Sequence, residues 1–163
     1  MVREQTTRPP TLVGISVLAG ILLASSGMFF PSMVLAEDAK AGNIEVQVRT
    51  FRNQKGHLGC ALFAGPKGFP VKSRKAKAIR LSPIKGKSAT CRFNNVRPGT
   101  YAVAVLHDED KNGKLKKNFL GVPQEGYGVS NNHVPTMRTP KYEKARFNVK
   151  PEETKRLRIK LKY

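Results

Sequence analysis

The sequence has little of what the commonest zinc and nucleophile sites require. Its 163 residues include three histidines and two cysteines, which are separated along the chain and so disfavour a zinc site. Ser130 and His133 could form a nucleophile–base pair, but no Gly-x-Ser-x-Gly elbow surrounds the serine. Amphipathic helical periodicity is nearly absent and no internal repeat is present, which disfavours a helical fold.

Acidic residues are also scarce. The chain has 11 Asp and Glu against 30 Lys and Arg, for a net charge of +19, so attraction to polyanions is the default expectation. In the cytoplasm the polyanion would be nucleic acid. Outside it, anionic lipid headgroups, lipopolysaccharide or acidic glycan fit better. The alternative is a basic domain without a polyanion partner.

The longest uncharged run lies at the N-terminus and indicates export. Arg3 and Arg8 precede an apolar segment at 11–30, and Val34-Leu35-Ala36 places small residues at a cleavage position. This pattern predicts a secretory signal at 1–36, cleaved after Ala36. The remaining chain would reside in the periplasm, on the cell surface or in the medium, so no nucleic-acid partner is expected. An uncleaved membrane anchor is the alternative, since about 20 apolar residues can span a bilayer.

Alternation of apolar and polar residues recurs from Asn43 onward and predicts strands. With short Gly/Pro turns between them, these runs predict an all-β fold, a single antiparallel β-sandwich of about seven strands over residues 43–163. The predicted strands lie at 44–48, 58–62, 76–81, 89–93, 101–106, 145–149 and 157–161. Residues 101–106 are a continuous apolar run, which predicts a central strand covered on both faces.

Cys60 and Cys91 occupy inward-facing positions of two predicted strands. In an oxidising compartment an even pair favours a disulfide, which would stabilise the fold by roughly 3–4 kcal/mol on the loop-entropy model. Two buried free thiols are the alternative.

The last predicted strand has a row of outward-facing cations. They are Arg156, Arg158, Lys160 and Lys162. Such a row can block edge-to-edge association or form a contact surface for a polyanion.

Residues 107–141 show no periodicity, and a loop of this length inside a compact domain is usually functional or disordered. Its apolar residues, including Phe119 and Leu120, predict an ordered loop that packs on the sandwich. The candidate ligand residues in it are polar groups, glycines and one tyrosine: His107, Asp108, Asp110, Asn112, Gly113, Asn118, Glu125, Tyr127, Ser130 and Asn131.

Part of this loop resembles a calcium-binding turn. Asp108, Asp110 and Asn112 stand at the first, third and fifth positions, and Gly113 at the sixth. Calcium is therefore a candidate cofactor, with those three oxygen-bearing residues as ligands.

The rest of the calcium pattern fails. Lys116 and Phe119 stand where oxygen ligands are needed, so Asn118 or Glu125 would have to complete a non-standard site. The alternative is a turn in which Asp108 and Asn112 bond local amides, with Lys116 supplying the cation.

An enzyme is a further hypothesis. His107 beside Asp108 could be a general base with Glu125 as acid partner, as in a hydrolase, although no catalytic residue is assigned. Alternatively, His107 ends its strand by hydrogen bonding into the loop, and His57 is interpreted as a surface residue. Tyr127 lies between two glycines and could stack on a sugar.

Several motifs together resemble the bacterial family catalogued as domain of unknown function 2141. The resemblance covers about residues 43–150, and its main motifs are Arg97-Pro98-Gly99-Thr100-Tyr101, His107-Asp108, Asn112-Gly113-Lys114, Asn118-Phe119-Leu120-Gly121 and Tyr127-Gly128-Val129-Ser130-Asn131. It implies an exported protein with a transthyretin-like or carboxypeptidase-regulatory-like β-sandwich, and it implies no activity.

The chain departs from the family pattern at a few positions. Lys116 stands where an aspartate is usual, and Asp110 where an asparagine is common. Cys60 and Cys91 replace valine-like core residues, so a bridge between them would be particular to this chain.

The sequence thus favours a non-enzymatic, exported cell-envelope module. It would contact an anionic or carbohydrate-bearing envelope component through its basic faces, with residues 107–133 as a recognition or rigidifying element. A calcium-stabilised structural domain and a hydrolase are the alternatives.

Overall fold

The structure is a computed structural model that describes residues 40–136 and 138–163. The predicted signal at 1–36 lies outside these residues. The described part contains eight strands: β1 Gly42–Val48, β2 His57–Phe63, β3 Ala78–Ser82, β4 Ala89–Val96, β5 Gly99–Asp108, β6 Tyr127–Val129, β7 Phe147–Val149 and β8 Thr154–Ile159. One short helix, α1 Tyr142–Ala145, and the 3₁₀ turns Ser73–Lys75 and Ser130–Asn132 connect them. Among the described residues, no helix has the length and apolar character to cross a membrane.

The strands form two sheets, which confirms the predicted β-sandwich. One sheet has the order β4-β1-β8, and the other has the order β3-β2-β5-β6 with β7 also paired to β5. One pair departs from the predicted antiparallel arrangement, because β1 and β8 run parallel with Val46 opposite Leu157. Alternation specifies which face of each strand is buried, whereas it does not specify the direction of the neighbouring strand.

The main core lies between the sheets and is built from the inward row of each strand. Ile44, Val46 and Val48 of β1 are almost fully buried. Cys60 of β2 and Cys91 of β4 form the predicted disulfide, and it joins the two sheets.

A smaller core covers the outer face of the larger sheet. It contains Phe63 and Ala102 from the sheet and Tyr142 and Ala145 from α1. Strand β5 is therefore covered on both faces, as its continuous apolar run predicts. Tyr101 of β5 donates its hydroxyl hydrogen bond to the Arg97 carbonyl at 2.8 Å.

The segment predicted as a loop at 107–141 is partly strand. β5 continues through Asp108, and β6 pairs with it so that Tyr127 lies opposite Leu106. A strand of three residues is too short to give a recognisable alternation. The connection between the two strands, the β5–β6 loop, is thus residues 109–126.

Candidate functional site

The β5–β6 loop begins with a turn organised by Asp108. This buried carboxylate accepts the backbone N–H of Asn112 at 3.0 Å on Oδ1 and that of Gly113 at 2.8 Å on Oδ2. Gly113 has φ 72°, a conformation that favours glycine. The predicted self-satisfied turn is therefore present, and Asn112 Oδ1 accepts the Lys114 N–H at 2.7 Å within it.

Glu125 closes the same turn from the other end of the loop. Its side chain is buried, with Oε1 accepting the Glu109 N–H at 2.8 Å and Oε2 accepting the Lys116 N–H at 2.9 Å. One carboxylate thus holds two backbone positions seven residues apart. The turn is therefore fixed by two buried acids, Asp108 and Glu125.

Asn118 organises a second turn at the outer end of the loop, the apolar tip (residues 118–122). Its Oδ1 accepts the N–H of Leu120 at 3.0 Å and of Val122 at 2.9 Å. The backbone N–H of Gly121, at φ 78°, donates to the Asn118 carbonyl at 2.9 Å. Phe119 is 95% exposed, Leu120 72% and Val122 53%, so these side chains do not pack on the sandwich as predicted.

Three carboxylates meet at the first turn. Ligand oxygens of Asp108, Asp110 and Glu125 lie within 4.8 Å of one another. Asp108 and Glu125 already accept backbone N–H groups, and Lys116 Nζ lies 3.9 Å from Asp110 Oδ2. Of the predicted ligands, Asp108, Asp110 and Glu125 are brought together. Asn118 lies in the apolar tip, and Asn112 is turned toward the backbone.

An open groove of about 400 Å³ lies beside this turn. It is lined by Arg52, Glu109, Asp110, Lys116, Gln124 and Glu125. Arg52 Nε donates to Glu109 Oε1 at 2.7 Å and Arg52 Nη2 to the Gln124 carbonyl at 2.8 Å, while Asn53 Nδ2 donates to Glu109 Oε2 at 3.2 Å.

The Arg52–Glu109 pair changes the protonation behaviour of both groups. Burial acts to raise the pKa of Glu109, but the hydrogen bonds from Arg52 and Asn53 lower it below its ordinary value. The hydrogen bond to Glu109 raises the pKa of Arg52. The groove therefore carries a fixed ion pair.

His107 is fully buried and makes two hydrogen bonds. Its Nε2 lies 2.9 Å from the Lys55 carbonyl, which can only accept, so Nε2 carries a proton. In the neutral ring Nδ1 then accepts from the Tyr163 hydroxyl at 2.8 Å, and that hydroxyl accepts the Arg52 N–H at 3.0 Å. Burial raises the pKa of Tyr163.

The structure does not form the predicted His107–Asp108 dyad. Consecutive residues of a strand point to opposite faces, and Asp108 contacts His57 instead, with Nε2 3.2 Å from Oδ2. His57 is half-buried, so its interpretation as a surface residue was wrong. In β2 it lies directly opposite Asp108.

The last three predicted site residues are Tyr127, Ser130 and Asn131, which follow the β5–β6 loop and are not part of the turn organised by Asp108. The Ser130 hydroxyl is buried, accepting the Val103 N–H at 3.0 Å and donating to the Ala145 carbonyl at 2.6 Å. Asn131 donates to the carbonyls of Lys144 and Arg146. Tyr127 is half-buried in β6. Ser130 thus holds the connection after β6 against β5, and Asn131 ties it to the C-terminal end of α1.

Three of the four predicted surface cations are exposed on or just beyond β8: Arg156, Arg158 and Lys160. The fourth, Lys162, is half-buried, and its backbone pairs with Tyr127. Asn132 bonds the Arg158 carbonyl and the Lys160 N–H along the free edge of β8.

The register of the smaller sheet arranges its outer face in rows. Arg92 of β4, Glu45 of β1 and Arg156 of β8 form one row, and Thr90, Gln47 and Arg158 form the next. Arg92 Nε lies 3.2 Å from Glu45 Oε2. We call Arg92, Arg156, Arg158 and Lys160 the basic sheet face.

Comparison with known proteins gives one assignment. No curated protein and no solved structure matches the chain. The model of the DUF2141 family, described as an uncharacterized protein conserved in bacteria, matches residues 46–156. These residues include most of both sheets, the two turns and the groove, and the chain therefore belongs to the DUF2141 family.

Proposed function

We propose that the protein is a non-enzymatic, exported module of the bacterial cell envelope. It binds an anionic envelope component, such as lipid headgroups, lipopolysaccharide or acidic glycan, through its basic sheet face. The uncharged run before Ala36 supports export. The disulfide also supports it, because such bonds persist in oxidising compartments.

The observation that carries the proposal is the charge pattern of the basic sheet face. Glu45 is paired with Arg92. In the part of the chain that the structure describes, no carboxylate lies within ion-pair distance of Arg156, Arg158 or Lys160. Adjacent strands lie about 4.8 Å apart, so these cations can contact neighbouring anionic groups on a flat surface.

The burial and the hydrogen bonds of the candidate catalytic groups support a binding role. His107, Asp108, Glu125 and Ser130 are all buried and hydrogen-bonded. Across residues 40–136 and 138–163, every buried side-chain nitrogen or oxygen has a hydrogen-bond partner. Groups used in this way rigidify a loop, whereas a general base must reach a substrate proton.

Salt-dependent binding tests the proposal. The exported protein is titrated with lipopolysaccharide, with vesicles that contain phosphatidylglycerol and with vesicles of phosphatidylcholine alone. We expect binding to the anionic targets that weakens between 0.1 and 1 M salt, because the screening length falls from about 10 Å to about 3 Å. Salt-independent binding, or none, contradicts the proposal.

A calcium-stabilised domain is the second candidate, and the convergence of Asp108, Asp110 and Glu125 oxygens favours it. Calcium would replace Lys116 as the counter-charge of Asp110. The test is thermal unfolding with calcium and with chelator, in the native chain and in Asp110→Ala. A calcium-dependent rise in Tm that the variant lacks supports this candidate, and identical curves contradict it.

A further inference from the structure

We propose that the apolar tip is an interfacial anchor that inserts Phe119, Leu120 and Val122 into the surface of an anionic bilayer. This inference deepens the proposed function, because it selects a lipid surface among the anionic partners. It uses residues other than the basic sheet face, so the two can fail separately.

The exposure of the tip is the first observation. Phe119, at 95%, and Leu120, at 72%, are the two most exposed large apolar side chains that the structure describes. They are adjacent in sequence, and Val122 follows two residues later at 53%. Scattered exposed apolar residues need no explanation, but a contiguous group marks an interaction site.

The rigidity of the tip is the second observation. Asn118 accepts two N–H groups of the tip, and the Asn118 N–H donates to the Val122 carbonyl at 2.9 Å. Below it, Lys117 and Pro123 form a β-bridge, and the Gln124 N–H donates to the Lys116 carbonyl at 2.8 Å. The tip is therefore preorganised, which reduces the conformational entropy lost on binding.

The third observation is the charge of the lysine stem, residues 111–117 of the β5–β6 loop, and it selects the occupant. Lys111, Lys114, Lys116 and Lys117 are all exposed. Of these four lysines, only Lys116 has a carboxylate of the described residues within ion-pair distance, that of Asp110 at 3.9 Å. Exposed apolar side chains next to exposed lysines in the same loop match a bilayer, where the apolar side chains enter the acyl boundary and the ammonium groups contact anionic headgroups.

The exposure of the tip agrees with this occupant. Phe119 is 95% and Leu120 72% exposed, so a protein partner would need a concave pocket to cover both side chains. A lipid layer deforms around such a turn. Lysine side chains can also extend from an inserted segment back to the headgroups.

Tryptophan fluorescence tests the anchor directly, because the chain contains no tryptophan. Phe119→Trp places one indole in the tip. The control, Leu81→Trp, places one on β3 at a side chain that is 65% exposed. Both variants are made in the exported protein and titrated with vesicles that contain phosphatidylglycerol, with and without lipids brominated on the acyl chains.

We expect the Phe119→Trp emission to shift to shorter wavelength and to be quenched by the brominated lipids, with no change for Leu81→Trp. An equal response to vesicles of phosphatidylcholine alone would overturn the role of the lysines. If the Phe119→Trp emission responds only to envelope protein freed of lipid, the lipid anchor is overturned and the tip binds a protein instead.

A second measurement separates this inference from the proposed function. Phe119→Ser combined with Leu120→Ser should weaken vesicle binding at least about tenfold. The double variant should still bind lipopolysaccharide through the basic sheet face, and that binding should remain sensitive to salt. If the indole at position 119 stays in water while the protein sediments with the same vesicles, the anchor is overturned and the basic sheet face stands. If the indole inserts and substitution of the cations of the basic sheet face leaves binding to the anionic targets unchanged, the anchor stands and the proposed function fails.

Discussion

The buried carboxylate of Glu125 accepts the backbone N–H of Lys116 at 2.9 Å. Its other oxygen accepts the Glu109 N–H at 2.8 Å, so the loop is closed around one acid. This relationship explains how a segment without alternation becomes a rigid element. It also places the lysine stem and the apolar tip in a defined position.

Removing that carboxylate should destabilise the domain. Glu125→Ala leaves two N–H groups without their acceptors, which costs about 2–6 kcal/mol in the free energy of unfolding at roughly 1–3 kcal/mol for each group. Urea denaturation measures the change. Glu143→Ala, at an exposed position of α1, is the control and should change stability by less than about 0.5 kcal/mol. Equal stability of the two variants would show that Glu125 does not hold the loop.

Acid should weaken the contact between Arg52 and Glu109. Hydrogen bonds outweigh burial and lower the folded-state pKa of Glu109, so the unfolded chain takes up this proton first. The contribution is complete above the unfolded pKa of about 4.3, and it is lost as the pH falls through the folded value. Unfolding followed between about pH 5 and pH 2.5 should show a steeper loss of stability for the native chain than for Glu109→Gln.

The size of that effect should be small because Arg52 is half-exposed. At neutral pH we expect Glu109→Gln to cost below about 1 kcal/mol. Glu143→Gln provides a control with the same charge change. Parallel pH profiles for the native chain and Glu109→Gln would contradict the assignment of a lowered pKa.

The bridge between the sheets should be a major source of stability. Replacing both Cys60 and Cys91 by alanine removes a link across 31 residues, which should lower the free energy of unfolding by about 3–4 kcal/mol, within a range of roughly 2–5 kcal/mol. Reductant should lower the Tm of the native chain and leave that of the double variant unchanged. Free thiols in the folded native protein would contradict the bridge.

Local patterns were sufficient to predict most of the fold and one part of the site. Alternation located β1, β2 and β4, because one face of each is buried, and a continuous apolar run located β5. The spacing from Asp108 to Gly113 predicted a tight turn, since the bonds that form it span at most five residues. The inward positions of Cys60 and Cys91 predicted their pairing.

The remaining contacts join residues that are distant in the sequence. Arg52 and Glu109 are separated by 57 positions, and His107 and Tyr163 by 56. No local pattern encodes such pairs. His57 is the exception, because the antiparallel register of β2 and β5 places it opposite Asp108. Knowledge of that register would have identified the contact.

The parallel pairing of β1 with β8 could not be predicted from the sequence for a similar reason. Both strands alternate, and either direction would bury Val46 and Leu157. The parallel register of β1 and β8 sets Arg156 and Arg158 beside Glu45 and Gln47. It thereby creates the outer face on which the proposed function depends.

The most direct test of that function compares two triple variants with the same loss of charge. One is Arg156→Ser, Arg158→Ser and Lys160→Ser in the basic sheet face. The other is Arg74→Ser, Lys75→Ser and Lys77→Ser, at exposed positions before β3. Their dissociation constants for lipopolysaccharide are measured at low salt.

At about 1 kcal/mol for each cation near an anionic surface, the first variant should bind about a hundredfold more weakly than the native chain. The second should remain within about threefold of it. Equal weakening of both variants would show that binding follows net charge alone, and would contradict recognition by the basic sheet face.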